Sequence, residues 1–244
     1  MARPRSGVAR TQCPGAYRSK IGIGSPQSHR DSEIGSLSVP VSLVKCIMAD
    51  SLYLSLWFRD SELEDLLPHA LRAMQQFPHS KGLPGIAGVS VHPVSWNEPT
   101  ILEQRYRPGI TPEEAVLVAA DLLHEDYAYA FEVNWDLWTP ESPDGEWHKK
   151  PTPVQFIARG QDFEEGEVEA LGEIEVDFGL DTPFLHEELK LTSELESRVR
   201  ANVQLLVDYI TRVEKSVGAE TRLLWSESDE NLAQKLISRL QKVQ

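Results

Sequence analysis

From residue 52 the apolar positions alternate with polar ones, and the spacing then changes to that of a helix. Leu52, Leu54 and Leu56 interleave with Tyr53, Ser55 and Trp57, the period of two that a strand requires. Ser61 and Glu64 have capping-box spacing. After them Leu63, Leu66, Leu67, Ala70, Leu71, Met74 and Phe77 make a helical stripe. Pro68 interrupts it and predicts a kink or two short helices. Pro78 to Pro84 reads as a loop.

Residues 86–94 predict a strand edged by Pro93, and residues 100–106 its hairpin partner across Asn97-Glu98-Pro99. Thr111-Pro112-Glu113-Glu114 predicts a helix start, with a capping Thr, Pro in the first turn and Glu three residues on. That helix is expected to reach about His124. The clearest strand follows. Tyr127, Tyr129, Phe131, Val133 and Trp135 share one face, and Ala128, Ala130, Glu132, Asn134 and Asp136 share the other.

The order to this point is β-α-β-β-α-β. It predicts an α+β fold with a ferredoxin-like core, both helices on one face of a mainly antiparallel sheet. Asp144-Gly145 marks a turn, and residues 153–159 and 172–178 extend the sheet. A C-terminal αβα extension closes the chain. Its long helix, Ser193 to about Val217, carries the stripe Leu195, Val199, Val203, Leu206, Val207, Ile210 and Val213, with Gly218 as C-cap. A strand at 221–225 and a helix with Leu232, Leu236, Ile237, Leu240 and Val243 complete it.

Composition divides this picture at Met48. The 47 residues before it hold seven basic and two acidic side chains, net +5, and the remaining 197 carry net −19. Both cysteines, Cys13 and Cys46, lie upstream, as does Tyr17, the single aromatic residue there. So few large apolar groups cannot offset the entropy of ordering a backbone. Residues 1–47 are therefore expected to be a disordered basic extension. Three origins fit it: an over-translated segment outside the native product, a basic tail, or a transit peptide. Residues 48–244 are expected to form a single acidic α+β domain that folds with undiminished stability from Met48.

Charge and cysteine usage narrow the function. A domain of net −19 is poorly suited to nucleic acid or an anionic membrane, which need clustered Lys and Arg. No stretch approaches the roughly 18 apolar residues of a membrane span. A cysteine-free domain has no thiolate metal site and no thiol nucleophile. No His-x-x-x-His, Gly-x-Ser-x-Gly, phosphate-binding loop or dinucleotide fingerprint occurs. No cofactor is expected, and the acidic, cysteine-free composition fits the cytoplasm.

Three features carry candidate chemistry. Glu132, Asn134 and Asp136 form one row of polar side chains, and Glu173, Glu175 and Asp177 another. Oxygen clusters of this kind hold divalent cations or work as acid and base, which makes Glu132, Asp136 and Glu175 metal candidates. A solvated sheet face gives the same pattern. Like charges directly opposite repel, so the two rows are expected to be separated or bridged by a cation.

The segment 135–150 holds three of the six Trp residues, at 135, 138 and 147. Asp136, Trp138, Trp147 and His148 are the ligand-binding candidates there, as an aromatic platform with a polar rim. The competing reading packs the Trp residues against the sheet. The third feature, Asp177-Phe178-Gly179 through His186 and Glu187, lacks a second His at ligand spacing and reads as a turn.

These observations favour a soluble binding protein without a catalytic motif, whose partner is a basic protein reached by charge steering. The alternatives are a metal-dependent hydrolase or transferase using the sheet carboxylates, and small-ligand binding at the 135–150 segment.

Overall fold

The computed structural model describes residues 50–141, 145–185, 192–226 and 232–241. The Met48 boundary, His186, Glu187 and Asp144 lie outside them. Seven strands form one open sheet: β1 (Ser51–Trp57), β2 (Ile86–Pro93), β3 (Leu102–Ile110), β4 (Tyr127–Pro140), β5 (Trp147–Arg159), β6 (Ile174–Leu180) and β7 (Thr221–Ser226). The helices are α1 (Leu63–Gln75), α2 (Pro112–Ala120), α3 (Glu167–Leu171), α4 (Thr182–Leu185), α5 (Ser193–Ser216) and α6 (Leu232–Gln241).

The sheet order is β3-β2-β4-β5-β6-β1-β7, and every neighbouring pair is antiparallel. The mixed α+β class is as expected, but the ferredoxin-like order is not found. A split βαβ core needs β1 beside β4 and between it and β3. Here β5 pairs with β4 from Ala128–Arg159 to Pro140–Trp147 and takes that edge. A hairpin closed by a short connection costs less chain entropy than a distant crossover. β1 is left to pair with β6 and β7.

Register explains the core. Val89, Phe131, Phe156, Val176, Leu54 and Leu224 lie side by side across six strands. On this face α1 contributes Leu66, Leu67, Ala70 and Met74, and α5 contributes Val199, Val203, Leu206, Tyr209 and Val213, all buried. The Tyr209 ring meets Phe77 edge-on at 5.2 Å and Phe178 at 5.9 Å, the geometry that aromatic quadrupoles favour.

Local signals held with small shifts. α1 is one helix despite Pro68, and its capping box sits one residue later than expected, at Glu62 and Asp65. The Thr111–Glu114 box caps α2 as the sequence predicts, although the helix stops at Ala120. Gly218 follows α5 with φ +80°. The largest local difference is β5, which begins at Trp147 rather than near residue 153. Pro151 and Pro153 obscure its periodicity. Both fall where β5 pairs with β4 and lies beyond its pairing with β6, so neither removes a bond to β6.

Candidate functional site

Alternation places a second row on the opposite face: Ser90, Ala130, Ile157, Glu175, Ser55 and Leu223. This face is not uniformly solvated. Ala130, Ile157, Ser55 and Glu175 are buried. α3 packs against it, since Trp57 Nε1 donates to the Val168 carbonyl at 3.0 Å. One short helix therefore departs from the expected single-faced arrangement.

Arg159, the last residue of β5, is buried beneath α3. Its Nε donates to Glu167 Oε2 at 2.8 Å and its Nη2 to Glu175 Oε1 at 3.1 Å. Trp96 Nε1 also donates to Glu167 Oε2, at 3.2 Å, and the guanidinium lies 5.9 Å from the Trp96 ring. Burial pushes the Glu175 carboxyl above the usual carboxylate range, and Arg159 opposes that shift. The two carboxylate rows are indeed separated. β5 runs between them and supplies the cation at one end.

A cleft of about 540 Å³ opens at this end of the sheet. The turn from β1 into α1 forms one side, with Asp60 in left-handed backbone at φ 50°. Among the described residues five carboxylates line it, from Asp60, Glu62, Glu64, Glu125 and Glu173, against the single cation of Arg159. Phe58, Leu63, Leu66 and Val168 supply an apolar wall. Glu173 is half-buried and immediately precedes β6, where its carbonyl accepts from the Arg159 N–H at 2.8 Å. Burial raises its pKa, and contacts with Ser61 and the Phe58 backbone offset part of the effect. Glu173 Oε2 and Arg159 Nη1 are both buried without a hydrogen-bond partner among the described residues.

A smaller groove of about 210 Å³ lies on the same face, over Gly88, Ser90 and Ala130. Its charges are largely paired with one another. Arg105 bonds Glu132 and lies 3.7 Å from Glu103. Ser90 Oγ is 3.0 Å from His92 Nε2.

The residues expected to bind ligand are placed as follows. Trp147 is buried in the core. Trp138 lies under Arg198, whose guanidinium is 4.9 Å from its ring and whose Nη1 donates to the Trp147 carbonyl at 3.2 Å. Arg198 thus joins the two Trp residues. Asp136 accepts from Ser80 Oγ at 2.5 Å and from the Lys81 N–H at 3.1 Å, which fixes the loop after α1. His148 is exposed, 3.7 Å from Glu146. The metal candidates do not converge. Glu132 bonds Arg105, Asp136 holds the Ser80 turn, and Glu175 holds Arg159. Among the described residues no group of three or more His, Cys, Asp or Glu side chains is placed to hold a metal ion.

Sequence reasoning missed Arg159 and the α1 turn. Arg159 ends the apolar run Phe156-Ile157-Ala158, and a charge closing such a run is a usable signal for a buried ion pair. The cleft itself is drawn from five separated segments and has no local signature. Among the described residues no helix is long and apolar enough to cross a membrane. The chain matches no protein-family model, no curated protein and no solved structure.

Proposed function

We propose that this protein binds rather than catalyses, and that it holds a basic protein in the cytoplasm through the acidic cleft beside α1. The cleft carries the reading: five carboxylates face one guanidinium, and that guanidinium is already bonded to Glu167 and Glu175. The apolar wall suits the methylene stem of a Lys or Arg side chain, whose charged end then meets the rim. The net −19 of residues 48–244 adds long-range steering toward a cationic partner. The hydrolase alternative gains less support, because Asp136 and Glu175 are both engaged by protein groups.

The test is the affinity for a Lys/Arg-rich twelve-residue peptide at two salt concentrations. Asp60→Asn, Glu64→Gln and Glu125→Gln together are expected to weaken binding at least tenfold at low salt. Asp121→Asn, Glu196→Gln and Asp208→Asn, three carboxylates outside the cleft lining, serve as the control set. Equal losses from the two sets overturn the reading, since the attraction would then be diffuse charge.

A further inference from the structure

Resting on that reading of the cleft, we infer that its ligand is a basic residue within a peptide, read through both its cationic side chain and a neutral main-chain carbonyl. Two buried side-chain atoms of cleft residues are unsatisfied among the described residues. Arg159 has three guanidinium nitrogens. Glu167 fixes Nε, Glu175 fixes Nη2, and Nη1 has no acceptor among the described residues. Just before β6, Glu173 Oε2 has no donor among the described residues. Both residues line the cleft, and their side chains do not bond each other. Buried polar atoms of this kind are seldom left unpaired, because the lost hydration is not recovered. The two atoms call for a ligand that supplies one acceptor and one donor.

Charge decides which acceptor. The Arg159 cation already faces two carboxylates. A ligand carboxylate would gain little from it and would enter a cleft ringed by five more. A carbonyl oxygen satisfies Nη1 without adding negative charge. The donor is the ammonium or guanidinium itself, directed at Glu173 and the rim, with its stem on Phe58, Leu63 and Val168. A cleft of about 540 Å³ is large enough for one such residue with its two flanking peptide groups.

Three small probes separate the contributions on the full chain. Butylguanidine offers the cation alone, Nα-acetyl-L-argininamide adds neutral carbonyls, and Nα-acetyl-L-arginine replaces one of them by a carboxylate. Titration calorimetry, with amide shifts at Ser61 and Gly160 to locate the site, is expected to show the argininamide binding about tenfold tighter than butylguanidine. That is the size of one charge-assisted hydrogen bond. It is also expected to bind tighter than the acid. Arg159→Lys, which keeps the charge and loses the fork, should erase the preference of the amide over butylguanidine. A purely structural role for Arg159 would not alter one probe selectively. Equal affinity for butylguanidine and the amide overturns the carbonyl contact and leaves the cationic cleft standing. Tightest binding by the acid overturns the choice of a neutral acceptor. No binding by any of the three removes the cleft reading as well.

Discussion

Asn202 holds the Trp138 peptide from both sides. Its Oδ1 accepts from the Trp138 N–H at 2.9 Å, and its Nδ2 donates to the Trp138 carbonyl at 2.8 Å. The same Nδ2 also donates to the Pro183 carbonyl at 2.9 Å. β2 pairs with β4 no further than Val133, so this edge of β4 has no strand beside it at Trp138. A side chain from α5 therefore does the work of a neighbouring strand and ties helix to sheet.

Removing that carboxamide should be costly. Asn202→Leu keeps the volume and strands two buried carbonyls and one N–H, at about 1–3 kcal/mol for each group left dry. Partial access of water lowers the sum, so a loss of about 2–4 kcal/mol is expected in urea unfolding. A loss below about 1 kcal/mol would show that the clasp is dispensable.

Two glycines separate close approach from backbone strain. A Cβ on Gly160 would sit 2.2 Å from the Glu125 carbonyl oxygen and 2.7 Å from its carbon, both backbone atoms. Gly179 has φ +73° and open space around it. Gly179→Ala is expected to cost about 1 kcal/mol, the penalty of left-handed backbone for an L residue. Gly160→Ala must move one chain segment off another and is expected to cost about 3 kcal/mol or more. Thermal unfolding of the two variants side by side tests the ranking, and similar melting temperatures would contradict it.

Acid should weaken the fold through its histidines. Burial lowers the pKa of His69, His79 and His92 from 6.5. Below pH 6.5 the unfolded chain takes up protons that the folded chain refuses, so stability falls as pH drops through 6.5 toward the folded values. His69 lies flat on Phe58, with ring centroids 3.7 Å apart, and its Nδ1 has no partner among the described residues. His69→Phe keeps the stack and removes the proton site. Its urea midpoint is expected to change less between pH 7 and pH 5.5 than that of the parent chain, and an unchanged slope would contradict the assignment.

Much of this architecture is visible in the pattern of residues, and the part that is not has a common cause. The Leu52–Leu54–Leu56 alternation, the Thr111–Glu114 box and the α5 stripe are local, and each appears within a residue or two of where periodicity puts it. Strand order depends on which distant segments meet, and no period encodes that β5 takes the edge of β4. Trp147 reads as part of a loop because Pro151 and Pro153 break the alternation, although it lies buried in β5. α3 has five residues and no stripe to detect. The cleft combines these non-local outcomes: β1's turn, the end of β5 and the start of β6 adjoin only once the sheet is assembled. Glu173 was legible as one of a carboxylate row, and its place in a cleft shared with Arg159 was not.

Glu173 should trade stability for binding. Burial raises its pKa above 4.5, so the folded chain holds this proton more tightly than the unfolded chain does. Stability from this group is therefore present at low pH and is lost as pH rises from 4.5 through the folded value. Once ionised, the carboxylate is half-buried and left with one oxygen unpaired among the described residues. Glu173→Gln removes the charge and keeps the shape. The urea midpoint of the variant is expected to exceed that of the parent at pH 7, with the gain shrinking to nothing below pH 4.5. Affinity for the basic peptide should move the other way and weaken several-fold, because one of the carboxylates lining the cleft is gone. A residue kept for packing alone would change neither quantity with pH. One kept only for stability would not be more stable once neutralised. A rise in stability together with a fall in affinity is the outcome that a binding role for this carboxylate requires.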